Sequence, residues 1–388
     1  MELSETLVAQ QQVVRLQALL EASRQIHSTI QLDEVLCIAL RIVVRELELT
    51  GAFFTSFDRS YGDVPAELMQ HLSLGPDTEA AIDKKNVLLF SLCDKNGNRF
   101  TDLAAILPAG RTLTIDEIDF LEALSMQASV AIENARFHER TVQWQRLESD
   151  LASARLVQQS LLPERMPEIP RYALAARSIT CYEVGGDYLD VISLPSGEII
   201  AVVGDVAGKG LTSALVGMSF RAAFRAMVHS GLPMAEIATQ MNQLHYSEGA
   251  ESRRRYVTAF LLRLDPAADT IEVVNAGHNP ALLLPGDGEC IKIVASGTPI
   301  GMLPFSSYHA EKYVLAPSAR LLIYTDGLTE VFREQEEFGE TRLLQTFSAC
   351  KEASPDAAIT ALWNTLTAFS DEPTQSDDMT AFMLFHTS

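Results

Sequence analysis

Apolar residues Val13, Leu16 and Leu20 recur at helical spacing in an opening free of Gly and Pro, which predicts a helix from Leu3 to about Ile30. The pattern repeats from Leu32 to Leu47, with Asp33 and Glu34 in the first turn, where negative charge suits the helix dipole, and Gly51 punctuates it. Gly51–Phe57 and Val87–Cys93 are apolar runs of strand length, the second followed by the turn sequence Asp94-Lys95-Asn96-Gly97. Thr114 caps a further helix over Ile115–Arg136, with Asp116 and Glu117 in its first turn. From there Phe137, Arg140, Trp144, Leu147, Leu151, Ala154, Gln158 and Leu161 step alternately by three and four. That heptad spacing predicts a parallel dimeric coiled coil, with a plain surface helix as the alternative because Arg140 and Gln158 are polar interruptions of the seam. Pro163, Pro167 and Pro170 then form a rigid hinge.

Beyond Pro170 the texture changes to short strands between Gly/Asp turns. They are Leu174–Tyr182, Asp190–Ser193, Glu198–Val203, Val257–Arg263, Ile271–Val274, Ala281–Leu284, Ile291–Val294, Leu321–Tyr324 and Thr380–Phe385. Helical stretches over Thr212–His229, Pro233–Leu244 and Ser354–Phe369 interrupt them. Strands in runs with helices between predict two packed antiparallel sheets covered by helices, an α+β architecture. The chain divides into an N-terminal helix (1–19), a first domain (20–138), a linker helix (139–165) and a second domain (166–388).

The balance of 30 Lys+Arg against 51 Asp+Glu, formal charge −21, argues against nucleic acid or an anionic membrane surface as partner. No apolar run reaches the roughly 18 residues of a membrane span, and the first residues lack the pattern of a secretory signal, so a cytoplasmic location is expected. Cys37, Cys93, Cys181, Cys290 and Cys350 are odd in number and scattered, with no zinc spacing; each is expected to be a buried free thiol.

Four Asp-centred motifs stand at predicted strand ends: Gly185-Gly186-Asp187-Tyr188, Gly204-Asp205-Val206-Ala207-Gly208-Lys209-Gly210, Tyr324-Thr325-Asp326-Gly327 and Ser376-Asp377-Asp378-Met379. Any one alone is a turn signal. Carboxylates converging from several strand ends are what a hard divalent cation takes, and a pair of cations needs one carboxylate to bridge them. The second motif is not a P-loop, since only three residues separate its glycines and Gly210 follows the lysine. Tyr188-Leu189 breaks the likeness of the first to a GGDEF cyclase signature.

In order, GGDY, GDVAGKG, NAGHNP (Asn275–Pro280), GTPIGM (Gly297–Met302), YTDGLTE and SDDMT closely resemble the PPM (PP2C-like) serine/threonine phosphatases of the SpoIIE/RsbU type, from about Ala152 onward. The segment SARLVQQSLLPE resembles that family's regulatory helix, and residues 20–138 resemble a GAF sensor domain. The resemblance implies a C-terminal αββα sandwich, joined by the coiled-coil helix to an N-terminal α/β GAF-like domain. It implies two Mn²⁺ or Mg²⁺ ions, with Asp205 bridging them, the Val206 carbonyl on the first, Asp326 and Asp377 on the second, and Asp187 holding the metals directly or through water. Asp378 stands where many eukaryotic relatives carry Asn, so either member of the Asp377/Asp378 pair is a candidate ligand, Asp377 the preferred one. Metal-activated water would attack phosphorus without a phosphoenzyme.

His278 is read as fixing a turn rather than as a general acid. Lys209 is either a phosphate contact or a solvated charge. No arginine lies over Ser178–Tyr182, where eukaryotic relatives place one that grips phosphate. The implied substrate is a phosphorylated STAS-domain protein of a bacterial partner-switching pathway. The GAF-like domain would respond to an unidentified small molecule or protein, and the chain would be a homodimer. The rival expectation is a pseudophosphatase acting as a ligand-sensing scaffold.

Overall fold

The computed structural model describes residues 16–73, 86–163, 165–286, 288–371 and 375–387. The chain separates into two compact units, residues 1–148 and 149–388. Residues 1–15 of the expected N-terminal helix lie outside the described residues; the remainder, α1, spans 16–26.

In the first unit α2 (Leu32–Glu46) is followed by β1 (Gly51–Phe54), β2 (Ser60–Gly62), α3 (Ala66–Ser73), β3 (Val87–Cys93) and β4 (Arg99–Ile106). The strands form an antiparallel sheet in the order β2-β1-β4-β3. Alternation along β1 divides the packing between its faces. Phe54 joins Leu36, Leu40, Leu121 and Leu124 in the main core, and Phe53 packs on the other side with Ala104, Ile106, Leu68 and Met69. The strand expected to reach Phe57 ends at Phe54, where the chain turns and Phe57 meets Phe54 edge-on. Thr114 and Glu117 form a reciprocal capping box at the start of α4 (Ile115–Leu161): the Glu117 N–H donates to Thr114 Oγ1 at 3.3 Å and the Thr114 N–H donates to Glu117 Oε2 at 2.8 Å.

Helix α4 changes character along its length. Its fully buried residues run from Phe120 to Ala135, all in the first unit's core. Farther on, Phe137 and Trp144 are 72% and 70% exposed, so this chain leaves those heptad positions uncovered. Leu151, Ala154, Gln158 and Leu161 are half-buried.

In the second unit β5 (Tyr172–Ile179), β6 (Tyr188–Ser193), β7 (Ile199–Val206), α5 (Leu211–Val228), α6 (Met234–Ser247), α7 (Ala250–Arg254), β8 (Val257–Asp265) and β9 (Thr270–Ala276) come first. Then come β10 (Ala281–Leu284), β11 (Ile291–Ile293), β12 (Glu311–Val314), β13 (Arg320–Tyr324), the small hairpin β14 (Phe332–Arg333) and β15 (Glu336–Glu337), α8 (Gly339–Ala349), α9 (Pro355–Phe369) and β16 (Met379–His386). Two five-stranded antiparallel sheets result, ordered β11-β10-β13-β16-β5 and β12-β9-β8-β7-β6. Between them lies a core that includes Val203, Phe260, Leu262, Leu321, Ile323 and Phe382. Outside one sheet Phe220, Phe224, Ile237 and Met241 of α5 and α6 cover Val202 and Leu261; outside the other, Leu343 and Phe347 of α8 with Leu362 and Trp363 of α9 cover Leu322 and Met383. This is the expected αββα sandwich. Strands buried on both faces carry unbroken apolar runs, and all eight residues of β16 are buried.

One expectation fails. None of the five cysteines is buried: Cys37 and Cys93 are exposed and Cys181, Cys290 and Cys350 intermediate, although all five are free thiols. Cys37 lies on the outward face of α2, next to buried Leu36, and Cys93 points out of the pleat that buries Leu92. Local apolar neighbours in sequence do not fix which face a thiol takes. Among the described residues no helix is long and apolar enough to cross a membrane.

Candidate metal centre

The two sheets bring their Asp motifs to one rim. Tyr188, the first residue of β6, pairs with Gly204 of β7, so Asp187 and Asp205 stand one step beyond a common register point. On the other sheet Tyr324 of β13 pairs with Ala381 of β16, which sets Asp326, just past β13, near Asp377 and Asp378, just before β16.

Close main-chain packing shapes this rim. A Cβ on Gly186 would crowd the Val206 carbonyl at 3.0 Å and touch Asp205 Oδ1 at an ordinary 3.6 Å, so both oxygens lie against the Gly186 backbone. After Val206 the chain turns into α5 through Gly208 and Gly210, both at positive φ, with Lys209 between them. A side chain at Gly208 would overlap the Arg255 guanidinium, whose Nη1 donates to Ser213 Oγ at 3.1 Å and to the Ala207 carbonyl at 3.4 Å.

The carboxylates differ in what holds them. Asp378 is buried and fully engaged: Oδ1 accepts from the Cys181 N–H at 2.8 Å and Oδ2 from the Gly186 N–H at 2.6 Å. Asp187 is buried too, and its Oδ2 accepts from Thr325 Oγ1 at 2.8 Å. Thr325 in turn accepts the Thr380 N–H at 2.9 Å, so one fully buried hydroxyl ties the rim of one sheet to the carboxylate at the rim of the other. Asp377 is more open. It accepts from Lys209 Nζ at 2.8 Å, and the same ammonium donates to the Ser376 carbonyl at 2.6 Å.

Electrostatics show that these groups share one site. Burial, then the Asp205 charge, raises Asp187 well above the usual carboxylate range. Asp205 is pushed up to about 7, first by burial and then by Asp326, Asp377 and Asp378. Asp326 is raised by burial and Asp377, and nearby Glu330 by burial, Asp326 and Asp377. Lys209 offsets part of this repulsion at Asp205 and Asp326, and is itself raised by its bond to Asp377. A multivalent cation would relieve such crowding, and the donors are the hard oxygens that Mg²⁺ and Mn²⁺ prefer.

Among the described residues, Cys181 Sγ and a carboxylate oxygen from each of Asp377 and Asp378 lie within 4.8 Å of one another. Burial and the neighbouring aspartates push the Cys181 thiol up to about 11, so it stays protonated near neutral pH. His278 is buried beside the site. Its ring Nδ1 lies 2.9 Å from Thr258 Oγ1, its N–H donates to Asn275 Oδ1 at 2.8 Å, and burial lowers its pKa to about 4. A neutral imidazole held this way fixes the turn.

A family model, that of stage II sporulation protein E (SpoIIE), matches residues 195–386. Over those residues the second unit is similar to the SpoIIE family. Two curated relatives of this SpoIIE-type unit come from Bacillus subtilis (strain 168). Phosphoserine phosphatase RsbP is 31% identical over 150 residues, covering 38% of this chain and 37% of RsbP. Phosphoserine phosphatase RsbU is 23% identical over 187 residues, covering 48% of this chain and 55% of RsbU. The chain thus spans about half or less of these relatives' lengths. Among solved structures, the SiaA-PP2C domain of Pseudomonas aeruginosa matches with a TM-score of 0.56 at 21% identity, covering 63% of this chain and 99% of that domain. The SpoIIE-type unit therefore has the PP2C-like fold.

Sequence reasoning missed Thr325, Glu330, Arg255 and Gln158 as parts of this neighbourhood. Thr325 and Glu330 stand inside the YTDGLTE motif and were within reach. Arg255 and Gln158 come from distant segments that only the fold brings together.

Proposed function

We propose that this chain is a metal-dependent phosphoprotein phosphatase acting on seryl or threonyl phosphate. The observation that carries the reading is the meeting of Asp187, Asp205, Asp326 and Asp377 at one rim, with Asp205 pushed up to about 7 by burial and then by the charges of Asp326, Asp377 and Asp378. In this reading the carboxylates of Asp187, Asp205, Asp326 and Asp377 and the Val206 carbonyl would hold the divalent ions. Asp378, with both oxygens taken by backbone N–H groups, anchors the Gly185–Asp187 loop rather than binding metal. When bound, two Mn²⁺ or Mg²⁺ ions supply an acidified water for in-line attack on phosphorus and charge to neutralise the phosphoryl oxygens.

The chain's own residues do the rest. Thr325 fixes the orientation of Asp187. Lys209, anchored at the rim and 44% exposed, is free to turn its ammonium to a phosphoryl oxygen once a cation satisfies Asp377. His278 takes no proton near neutral pH and stays a turn residue.

The similarity to two phosphoserine phosphatases supports a phosphoseryl substrate; in this reading the substrate is a phosphorylated STAS-domain protein of a partner-switching pathway. The first unit, a four-stranded sheet with helices on both faces, is the GAF-like sensor of a small molecule or protein. Exposed Phe137 and Trp144 support a homodimer through α4. The chain would act in the cytoplasm.

The test is Mn²⁺-dependent hydrolysis of p-nitrophenyl phosphate by the full chain beside Asp205→Asn. Turnover that requires Mn²⁺ and vanishes in the variant is expected. Turnover without metal, or undiminished in the variant, overturns the reading.

A further inference from the structure

Between the loop that follows β13, helix α9 and the segment leading into β16 lies a cavity of about 170 Å³. Buried Trp363, Leu366 and Met379, all part of the core outside that sheet, line it together with half-buried Val331 and exposed Phe332. None of the described residues that line it is charged, although the chain carries a formal charge of −21 and the neighbouring rim is crowded with carboxylates. An apolar cavity of about 150 Å³ takes up benzene, and cofactor-sized sites run to roughly 300 Å³ and more. This one has room for a single side chain of the size of leucine, methionine or phenylalanine.

Its place decides whose side chain enters. Gly327 and Ser376 line the cavity, and each is the chain neighbour of a rim carboxylate, Asp326 and Asp377. Consecutive Cα atoms are about 3.8 Å apart, so the cavity wall begins one residue from the groups that face the phosphoryl site. The lips on either side are tied together. Ser376 Oγ donates to the Glu330 carbonyl at 3.0 Å, and the Ser376 carbonyl accepts from Lys209 Nζ at 2.6 Å. A Cβ at Gly327 would overlap the Asp378 carbonyl, so the first lip rests directly on the second. A chain whose phosphoseryl group sits at the rim carries its next two residues about 4–7 Å away, the same scale as the step from rim to cavity.

We infer that this cavity is a specificity subsite: it takes an apolar side chain, of about leucine size, standing one or two residues from the phosphoserine of the substrate protein. The inference rests on the phosphatase reading above. An apolar neighbour exchanges water for contact with Trp363, Leu366 and Met379, whereas an acidic one loses its hydration to an uncharged lining and meets the repulsion of Asp326 and Asp377. The metal centre recognises the phosphate, and the cavity recognises what stands beside it.

The experiment uses the full chain with Mn²⁺ and short phosphoserine peptides of alanine, in which leucine or aspartate replaces the alanine one or two residues to either side. p-Nitrophenyl phosphate reports whether the metal centre turns over at all. At one of these positions leucine is expected to raise kcat/KM about tenfold over alanine, the order carried by burying a few methylene groups, and aspartate to lower it. Thr367 lines the cavity from an exposed position on α9, so Thr367→Trp fills it without entering the core and is expected to bring the leucine advantage within about twofold. Phe332→Ala widens the cavity from another exposed position, should the Trp variant fold poorly, and is expected to move the preference from leucine to tryptophan. Equal rates for leucine and alanine at every position in the wild type overturn the inference and give the cavity to another occupant. A leucine advantage unchanged in both variants overturns it too, because the side chain is then read elsewhere. Turnover of the aryl ester without any peptide overturns the inference and leaves the phosphatase reading standing. A wild type that hydrolyses neither removes that reading, and the inference with it.

Discussion

Asp187 and Asp190 stand three residues apart at the start of β6, and both are buried, yet they have opposite surroundings. Asp190 is complete. Its carboxylate accepts from Arg225 Nε at 2.6 Å, Arg225 Nη2 at 2.7 Å and the Tyr188 hydroxyl at 2.7 Å, with Arg221 3.9 Å away, and it pins α5 to the sheet. Asp187 has a threonine hydroxyl and the negative charges of Asp205 and Asp378 around it. A buried charge is normally paired, so the contrast separates a carboxylate whose charge the fold itself pairs from one that the fold leaves among like charges, the one the proposed reading gives to a cation.

The sharpest break of that contrast is Asp187→Asn. Mn²⁺-dependent turnover should fall by on the order of 10³, while the metal-free protein melts higher because a repelling buried carboxyl is gone. Steady-state kinetics beside melting in EDTA tests both signs, and a lower melting point in EDTA would place Asp187 with the structural carboxylates. Asp190→Ala should do the reverse. It removes the acceptor of half-exposed Arg225 and of the buried Tyr188 hydroxyl and costs about 1–3 kcal/mol of stability by denaturant unfolding, with Mn²⁺ half saturation little changed in the folded fraction.

Next in size is pH. Asp205 lies at about 7 in the folded chain against an ordinary 3.8, so its contribution favours the metal-free fold at low pH and is lost as pH rises through about 7. Cation binding needs the ionised form. The gap between melting points with Mn²⁺ and with EDTA should therefore widen steadily from pH 5 to pH 8. A constant gap would mean that Asp205 does not meet the ion.

The smallest effect is expected at Lys209→Met. Its half-exposed pair with Asp377 is worth under about 1 kcal/mol to stability, but its loss should lower the Mn²⁺ needed and raise KM, since the ammonium competes for Asp377 and meets phosphate. Melting, metal titration and KM measured together would expose a lysine that does neither.

Much of this was legible in the chain. The Asp motifs end strands, and a strand end is where a turn and a ligand can share residues. The layer order followed from runs of strands and the spacing of the helices. What escaped was set by pairing at a distance. Strand β4, with polar Arg99, Thr101 and Asp102 ahead of its apolar run, was not read; it is drawn into the sheet between β1 and β3, where Asp102 finds Arg99 and Ser91. Helix α8 is short, 11 residues, and buries only Leu343 and Phe347, so it offers few apolar positions to mark a helix. The sequence marks Gln158 only as a polar fault in a heptad; its partner, the Gly185 main chain, lies in another segment, and nothing local announces it.

Among the described residues strand β16 follows the other strands of its sheet and pairs in its interior, between β13 and β5. It must leave the ribosome after all its neighbours, so β5 waits beside an open slot while about two hundred residues are made, and Asp377 and Asp378 arrive with the piece that fills it. A nascent chain therefore carries no finished rim. Completion of the fold and acquisition of the last carboxylates are one event, so a partly made molecule holds only an unfinished site.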